Sequence, residues 1–172
     1  MLTFECLRCA SCCRDLITPL KIGPQLEVHQ GLCLFEEETS FFPSSKILPM
    51  HGYGNDPYDV KFKVVTFQFT ESSCPHLRNH DCSIRDRRPI SCQAYPFSPN
   101  PKVTETTSYW VDPSCSWTKK HVPNDGKSRK IHAPEENFAL SQILSRLSLM
   151  RKTFEGMFWM FDVSKKEWFL GI

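Results

Sequence analysis

The sequence predicts a small α+β fold, with an irregular cysteine-rich region carrying short strands and one long C-terminal helix. Three observations support this. Cysteines crowd two stretches, Cys6 to Cys13 and Cys74 to Cys115. Residues 60–69 alternate apolar and polar side chains as a strand does. From Pro134 onward, apolar residues return with a helical period.

The elements follow in chain order. Residues 4–14 are too rich in cysteine for a core-facing helix or strand. Glu36-Glu37-Glu38 reads as a short helix with a solvated acidic face, beside an apolar surface formed by Phe41 and Phe42. His51 to Pro57 contains two glycines, Asn55 and Asp56, which by composition is a loop. Val60, Phe62 and Val64 alternate with Lys61 and Lys63, and then Val65, Phe67 and Phe69 take up the opposite phase. The slip at Val64–Val65 predicts a bulged strand or two short ones. Val103 to Val111, rich in Thr, Tyr and Trp, predicts a further strand. His121 to Lys130 is the one stretch of low hydrophobicity that resembles a mobile loop.

Pro134 suits a first helical position, and Glu135 and Glu136 follow in the first turn, where the helix dipole favours acids. Leu140, Ile143, Leu144, Leu147, Met150 and Phe154 then mark one buried face of a helix running to Glu155, with Gly156 as its stop. Met157–Phe161 and Trp168–Leu170 read as a closing hairpin. A chain of 172 residues suits a single domain over 1–172, with the cysteine motifs in 4–115 and a helix-plus-hairpin scaffold in 134–172.

Composition narrows the function classes. An apolar share of 40%, with 13 Phe and 4 Trp, allows a hydrophobic core and argues against disorder. The 21 basic and 19 acidic residues leave a net charge of +2, which makes no strong field and counts against nucleic acid as a partner. No apolar run reaches the roughly 18 residues of a membrane span. The N-terminus has neither the basic nor the apolar region of a secretory signal. The expectation is a cytoplasmic protein with no membrane partner. No Gly-rich phosphate loop, zinc-protease helix or Ser/His/Asp pattern assigns a reaction.

In a reducing compartment, thiols stay free unless they bind metal or do redox chemistry. Nine cysteines, an odd number, also suit a complete disulfide framework poorly. The first group is Cys6-x-x-Cys9-x-x-Cys12-Cys13, in which each Cys-x-x-Cys step lets two thiolates converge on one ion. Cys12 and Cys13, if helical, would diverge by about 100° and would fit a polynuclear centre or two neighbouring ions better than one ion. The second group is Cys74, Cys82, Cys92 and Cys115, with polar turn residues between Cys74 and Cys82. These eight cysteines are the expected ligands of a metal-binding domain, and Cys33, between Leu32 and Leu34, is expected in the core.

Eight thiolates suffice for two tetrahedral sites, or for a four-thiolate cluster and another ion. The cofactor is therefore zinc, iron or an iron–sulfur cluster. Arg8, Arg14, Arg85, Arg87 and Arg88 lie near cysteines in sequence and would balance the negative charge of such a site. Tyr95, Phe97, Tyr109 and Trp110 are expected to shield it from water. His76 and His80 are turn histidines, expected to be exposed rather than ligating.

The combination Phe4-x-Cys6-x-x-Cys9-Ala10-x-Cys12-Cys13-Arg14, Cys74-Pro75-x-Leu77, Cys82-x-Ile84 and Arg88-Pro89-x-x-Cys92-x-x-Tyr95-Pro96-Phe97 resembles the YkgJ-type cysteine-cluster family. Cys115, after the next strand, fits the same pattern. The resemblance implies a zinc- or iron-chelating domain and covers residues 4 to 115. Related motifs in the bacterial flagellin lysine N-methylase keep open an iron–sulfur role in electron transfer, or in an associated oxidoreductase or methyltransferase reaction. A protein partner is also open. Two departures stand out: Ala10 replaces a usual glycine, and Ser116-Trp117 follows Cys115 in place of a Gly-rich run.

Overall fold

In the computed structural model, which describes residues 2–22, 24, 26–99, 109–123 and 130–171, the chain passes three times between two units. The first unit comprises Met1–Cys13 and His76–Arg146, and the second Arg14–Pro75 and Leu147–Ile172. The fold is α+β, with short strands in several small sheets and one long C-terminal helix.

The second unit is built on an antiparallel five-stranded sheet. Its strands run in the order Glu167–Leu170, Met157–Asp162, Ile47–Gly54, Lys63–Phe69 and Leu32–Leu34. Thr18–Lys21 and Glu27–Gln30 form a separate antiparallel pair. Leu16, Leu34, Phe42 and Phe69 make the core, and Phe41, Phe67 and Cys74 pack against it. Inside the sheet, Gln68 is fully buried and uses its whole amide. Its Oε1 accepts the Gly31 N–H at 2.7 Å, and its Nε2 donates to the carbonyls of Pro49 at 2.6 Å and Phe161 at 3.2 Å. Three strands are thus tied through one side chain.

The phase slip at Val64–Val65 corresponds to a shift in register. His51 faces Thr66 and Gly52 faces Val64, so Val65 is the extra residue. The strand starts at Lys63 rather than Val60 because Asp59 builds a turn first. Its carboxylate accepts the Lys61 N–H at 2.7 Å, its carbonyl accepts the Phe62 N–H at 3.0 Å, and Val60 is left 95% exposed.

The stretch expected to be a loop, His51 to Pro57, is strand as far as Gly54. A side chain at Gly52 would collide with the Phe62 ring, so glycine marks a close approach there, not a turn. The acidic run forms a 3-10 helix, Glu36–Phe41. Glu38 is buried instead of solvated, because its Oε2 accepts the Phe35 N–H at 2.9 Å at the start of the helix.

The long helix covers Pro134–Thr153 and buries Ala139 and Leu140 most deeply. Gly156, at φ +93°, then lies with the backbone of Gly54 2.8 Å from where a Cβ would stand. The closing hairpin is present as Met157–Asp162 paired with Glu167–Leu170. Asp162, fully buried, organises its turn by accepting the N–H groups of Ser164 and Lys165 at 2.7 and 3.0 Å.

The first unit has little sheet. Leu2–Thr3 pairs in parallel with Ile131–His132, and Phe97–Pro99 pairs antiparallel with Tyr109–Val111. The latter is the described end of the strand expected over 103–111; residues 103–108 lie outside the described residues, as do 124–129 of the expected loop. Phe4 is the core anchor, set edge-on to Phe97 at 5.5 Å and to Trp117 at 5.0 Å. No helix among the described residues is long and apolar enough to cross a membrane.

Candidate metal centre

Backbone geometry first sets the cysteine loop. Residues 5–10 have no regular structure, and Ser11–Cys13 form one 3-10 turn closed by the Cys13 N–H on the Ala10 carbonyl at 3.0 Å. Arg8 and Ala10 both take left-handed backbone, at φ +50° and +62°. That conformation costs an L-residue roughly 1–2 kcal/mol and glycine almost nothing. The glycine usual at this position thus has a physical reason, and Ala10 meets the same turn at a cost.

The turn brings thiols together. The Sγ atoms of Cys12 and Cys13 stand 3.9 Å apart. Two thiolates on one tetrahedral zinc, each about 2.3 Å from it, lie about 3.8 Å from each other. The expected divergence of this pair does not occur, because the 3-10 turn is not the regular helix on which that expectation was drawn. The pair thus fits a shared ion in spacing and in donor chemistry.

Electrostatics favour thiolate here. Desolvation pushes Cys9 up, but hydrogen bonding from Ser11 and Ser116 outweighs it and brings the thiol down to about 7. Its Sγ is 3.3 Å from Ser11 Oγ, which is itself 3.3 Å from Ser116 Oγ. For Cys12, the hydrogen bond from Cys13 is the largest influence and lowers the thiol, against desolvation and the nearby Cys9 charge. The Arg88 guanidinium adds to the lowering. The same guanidinium also acts on Glu136, whose carboxyl is raised mainly by burial and partly restored by Arg88. Arg88, whose Nε donates to the Arg85 carbonyl at 3.0 Å, thus favours the charged forms of both a thiol and a helix-start carboxyl.

Ser11 and Ser116 are the side chains around Cys9 that sequence reasoning overlooked. Their one signal was position, beside Cys12 and Cys115. Ser116 opens the helix Ser116–His121, for which Cys115 is the cap residue, with its carbonyl accepting the Lys119 N–H at 2.9 Å. Trp117, where a Gly-rich run is usual, is instead the core partner of Phe4.

The remaining cysteines are placed by short elements. Cys82 lies on the hairpin Leu77–Arg78/Asp81–Cys82, whose turn residues Asn79 and His80 both have positive φ, as a type I′ turn requires. This turn pairs Cys82 with Leu77. Cys92 lies in the short helix Ile90–Ala94, entered through the buried Pro89, with its N–H on the Pro89 carbonyl at 2.9 Å. Cys6 and Cys12 are exposed, Cys9, Cys13, Cys82 and Cys92 half-buried, and Cys115 buried.

These seven all belong to the first unit, whereas Cys74 belongs to the second, against its core. Cys33, half-buried on the strand Leu32–Leu34, is also in the second unit. Among the described residues, no three His, Cys, Asp or Glu side chains are grouped as an ion would require. Phe97 is buried against Phe4, Tyr95 lies 3.4 Å from Ser114 through its hydroxyl, and the side chains of Tyr109 and Trp110 lie outside the described residues. Of the arginines, Arg85 pairs with Asp81 at 3.5 Å, and Arg14 is in the second unit.

Residues 5–116 match the CxxCxxCC family, described as a "Putative zinc- or iron-chelating domain". The match covers well over half of the 172 residues, and the chain belongs to this family. No curated protein and no solved structure matches it.

Proposed function

We propose that the chain is a cysteine-ligated metal-binding protein that holds zinc or iron through Cys6, Cys9, Cys12, Cys13, Cys74, Cys82, Cys92 and Cys115. The observation that carries this reading is the 3.9 Å spacing of the Cys12 and Cys13 sulfurs on the loop that also bears Cys9. Lowered thiols at Cys9 and Cys12 supply the charged form that metals take. Thiolates gather fully only around their cation, so in this reading the remaining cysteines close in as the metal binds. Arg88 balances part of the negative charge, and the Ser11 and Ser116 hydroxyls orient the Cys9 sulfur.

Cobalt(II) titration of the reduced, metal-stripped chain tests the assignment. The reading requires intense thiolate-to-cobalt absorption that zinc displaces and that falls in a Cys12→Ser/Cys13→Ser variant. Absence of that absorption in the native sequence would refute it.

A further inference from the structure

The sulfur pair on the cysteine loop has a second chemistry open to it. Cys12 and Cys13 are both reduced, Cys12 exposed and Cys13 half-buried, with their Sγ atoms 3.9 Å apart. A disulfide bond is about 2.05 Å long, so closing the pair needs a movement of about 2 Å. The Ser11–Cys13 turn, closed by the Cys13 N–H on the Ala10 carbonyl at 3.0 Å, keeps the two side by side. Cys9 on the same loop is engaged with hydroxyls instead. Its Sγ is 3.3 Å from Ser11 Oγ, which is 3.3 Å from Ser116 Oγ. All of these groups belong to the first unit. Redox-sensing cysteines pair an accessible sulfur with a neighbour that resolves the first oxidation product. Cys12 and Cys13 fill those two places.

We propose that Cys12 and Cys13 form a peroxide-responsive switch, closing to a disulfide and releasing the metal. The metal release rests on the reading of both sulfurs as ligands, whereas the sulfur chemistry stands on the geometry of the pair. The oxidant is a hydroperoxide, of which hydrogen peroxide is the simplest. The Cys12 sulfur attacks one peroxide oxygen. An S–O bond forms, the O–O bond breaks and hydroxide leaves, with Cys12 now the sulfenic acid. The Cys13 sulfur then attacks the Cys12 sulfur, so that an S–S bond forms, the S–O bond breaks and a second hydroxide leaves. The two thiolates lose two electrons, the peroxide gains them, and both hydroxides take protons from solvent to become water.

Closure removes two ligands at once, because a sulfur held in a disulfide is no longer the thiolate that a metal takes. Covalent geometry makes the change reversible. Adjacent Cα atoms lie about 3.8 Å apart across a trans peptide, below the range of about 4.4–6.8 Å usual for a disulfide. Such a bridge is strained, and strained, exposed disulfides are the readily reduced, regulatory kind. A thiol reductant therefore restores both ligands.

The test is treatment of the zinc-loaded full chain with a stoichiometric amount of hydrogen peroxide. Released zinc is read with a chromophoric indicator, and the thiols are mapped by mass spectrometry. The expected result is loss of the bound zinc together with loss of two hydrogens from the peptide carrying Cys12 and Cys13, while Cys9 stays open to alkylation. Dithiothreitol should then restore zinc binding. In metal-stripped Cys13→Ser, the Cys12 sulfenic acid has no resolving neighbour and should be trapped by a cyclic diketone. A chain that holds no zinc before peroxide would refute the ligand reading, and the switch with it. A chain that keeps its zinc after the bridge has formed would overturn the switch alone. So would zinc release without a Cys12–Cys13 bridge, or no trapped sulfenic acid in Cys13→Ser.

Discussion

Cys12 and Cys13 are neighbours in sequence, and their sulfurs are neighbours in space at 3.9 Å, because the 3-10 turn Ser11–Cys13 turns both toward one side. Loss of either sulfur should therefore open the site. A partner one layer out from a metal is worth about 10–100-fold in affinity, and a ligand is worth more. Cys12→Ser and Cys13→Ser should each weaken zinc affinity more than about 100-fold in a chelator competition assay. Cys33→Ser, on a strand of the second unit, should leave it unchanged. Equal affinity in all three variants would remove the pair from the ligand set.

Ala10 gives a test of backbone strain. It is buried and left-handed at φ +62°. Ala10→Gly relieves the strain but loses a buried methyl and adds unfolded-state entropy, terms of about 1 kcal/mol each that nearly cancel. Ala10→Val adds a β-branched side chain where that conformation is worst tolerated. Urea unfolding should show the glycine variant within about 1 kcal/mol of the native chain and the valine variant at least about 2 kcal/mol less stable. Comparable losses in both would mean that volume, not φ, governs the position.

Gln68→Leu keeps the approximate volume but strands the Gly31 N–H and removes a donor from the Pro49 and Phe161 carbonyls. Each buried group left unpaired costs about 1–3 kcal/mol. The expected loss is about 3 kcal/mol or more by chemical denaturation. A loss under about 1 kcal/mol would show that water replaces the amide.

His51 predicts an acid sensitivity separate from the cysteines. Its ring lies against Phe158 at 5.2 Å, with Nδ1 2.8 Å from Thr66 Oγ1, and desolvation lowers its pKa from 6.5 to about 4. The folded pKa lies below the unfolded one. The contribution is therefore complete above about pH 6.5 and is lost as the pH falls toward 4. At about 1.4 kcal/mol per unit, the loss is on the order of 3 kcal/mol. His51→Gln should flatten the stability profile between pH 6.5 and 4.5; an unaltered slope would assign the acid sensitivity to other groups.

The periodic parts of this chain were legible in its sequence. The helix from Pro134, the hairpin after Gly156 and the slip at Val65 all follow from side-chain spacing, which one buried face dictates. His51–Gly54 was not legible as strand, because its glycines answer to the Phe62 ring, a contact distant in sequence. Glu38 misled for a similar reason, since capping the helix start at Phe35 buried a charge that composition would leave in water. In the candidate site, the cysteine spacings singled out the loop on which the Cys12 and Cys13 sulfurs stand 3.9 Å apart. The contributions of Ser11 and Ser116 depend on three-dimensional approach, to which spacing gives no access, whereas Arg88 stood out in sequence as a cation near the cysteines.

The most direct test of the central claim is the amount of metal and acid-labile sulfide per chain, measured on untagged protein purified without oxygen. The account predicts at least one zinc or iron per chain that survives desalting, with the Cys12 and Cys13 thiols protected from alkylation until a chelator is added. Iron accompanied by near-equal sulfide would specify an iron–sulfur centre at these cysteines. A folded, metal-free protein whose nine thiols all react at once would contradict it.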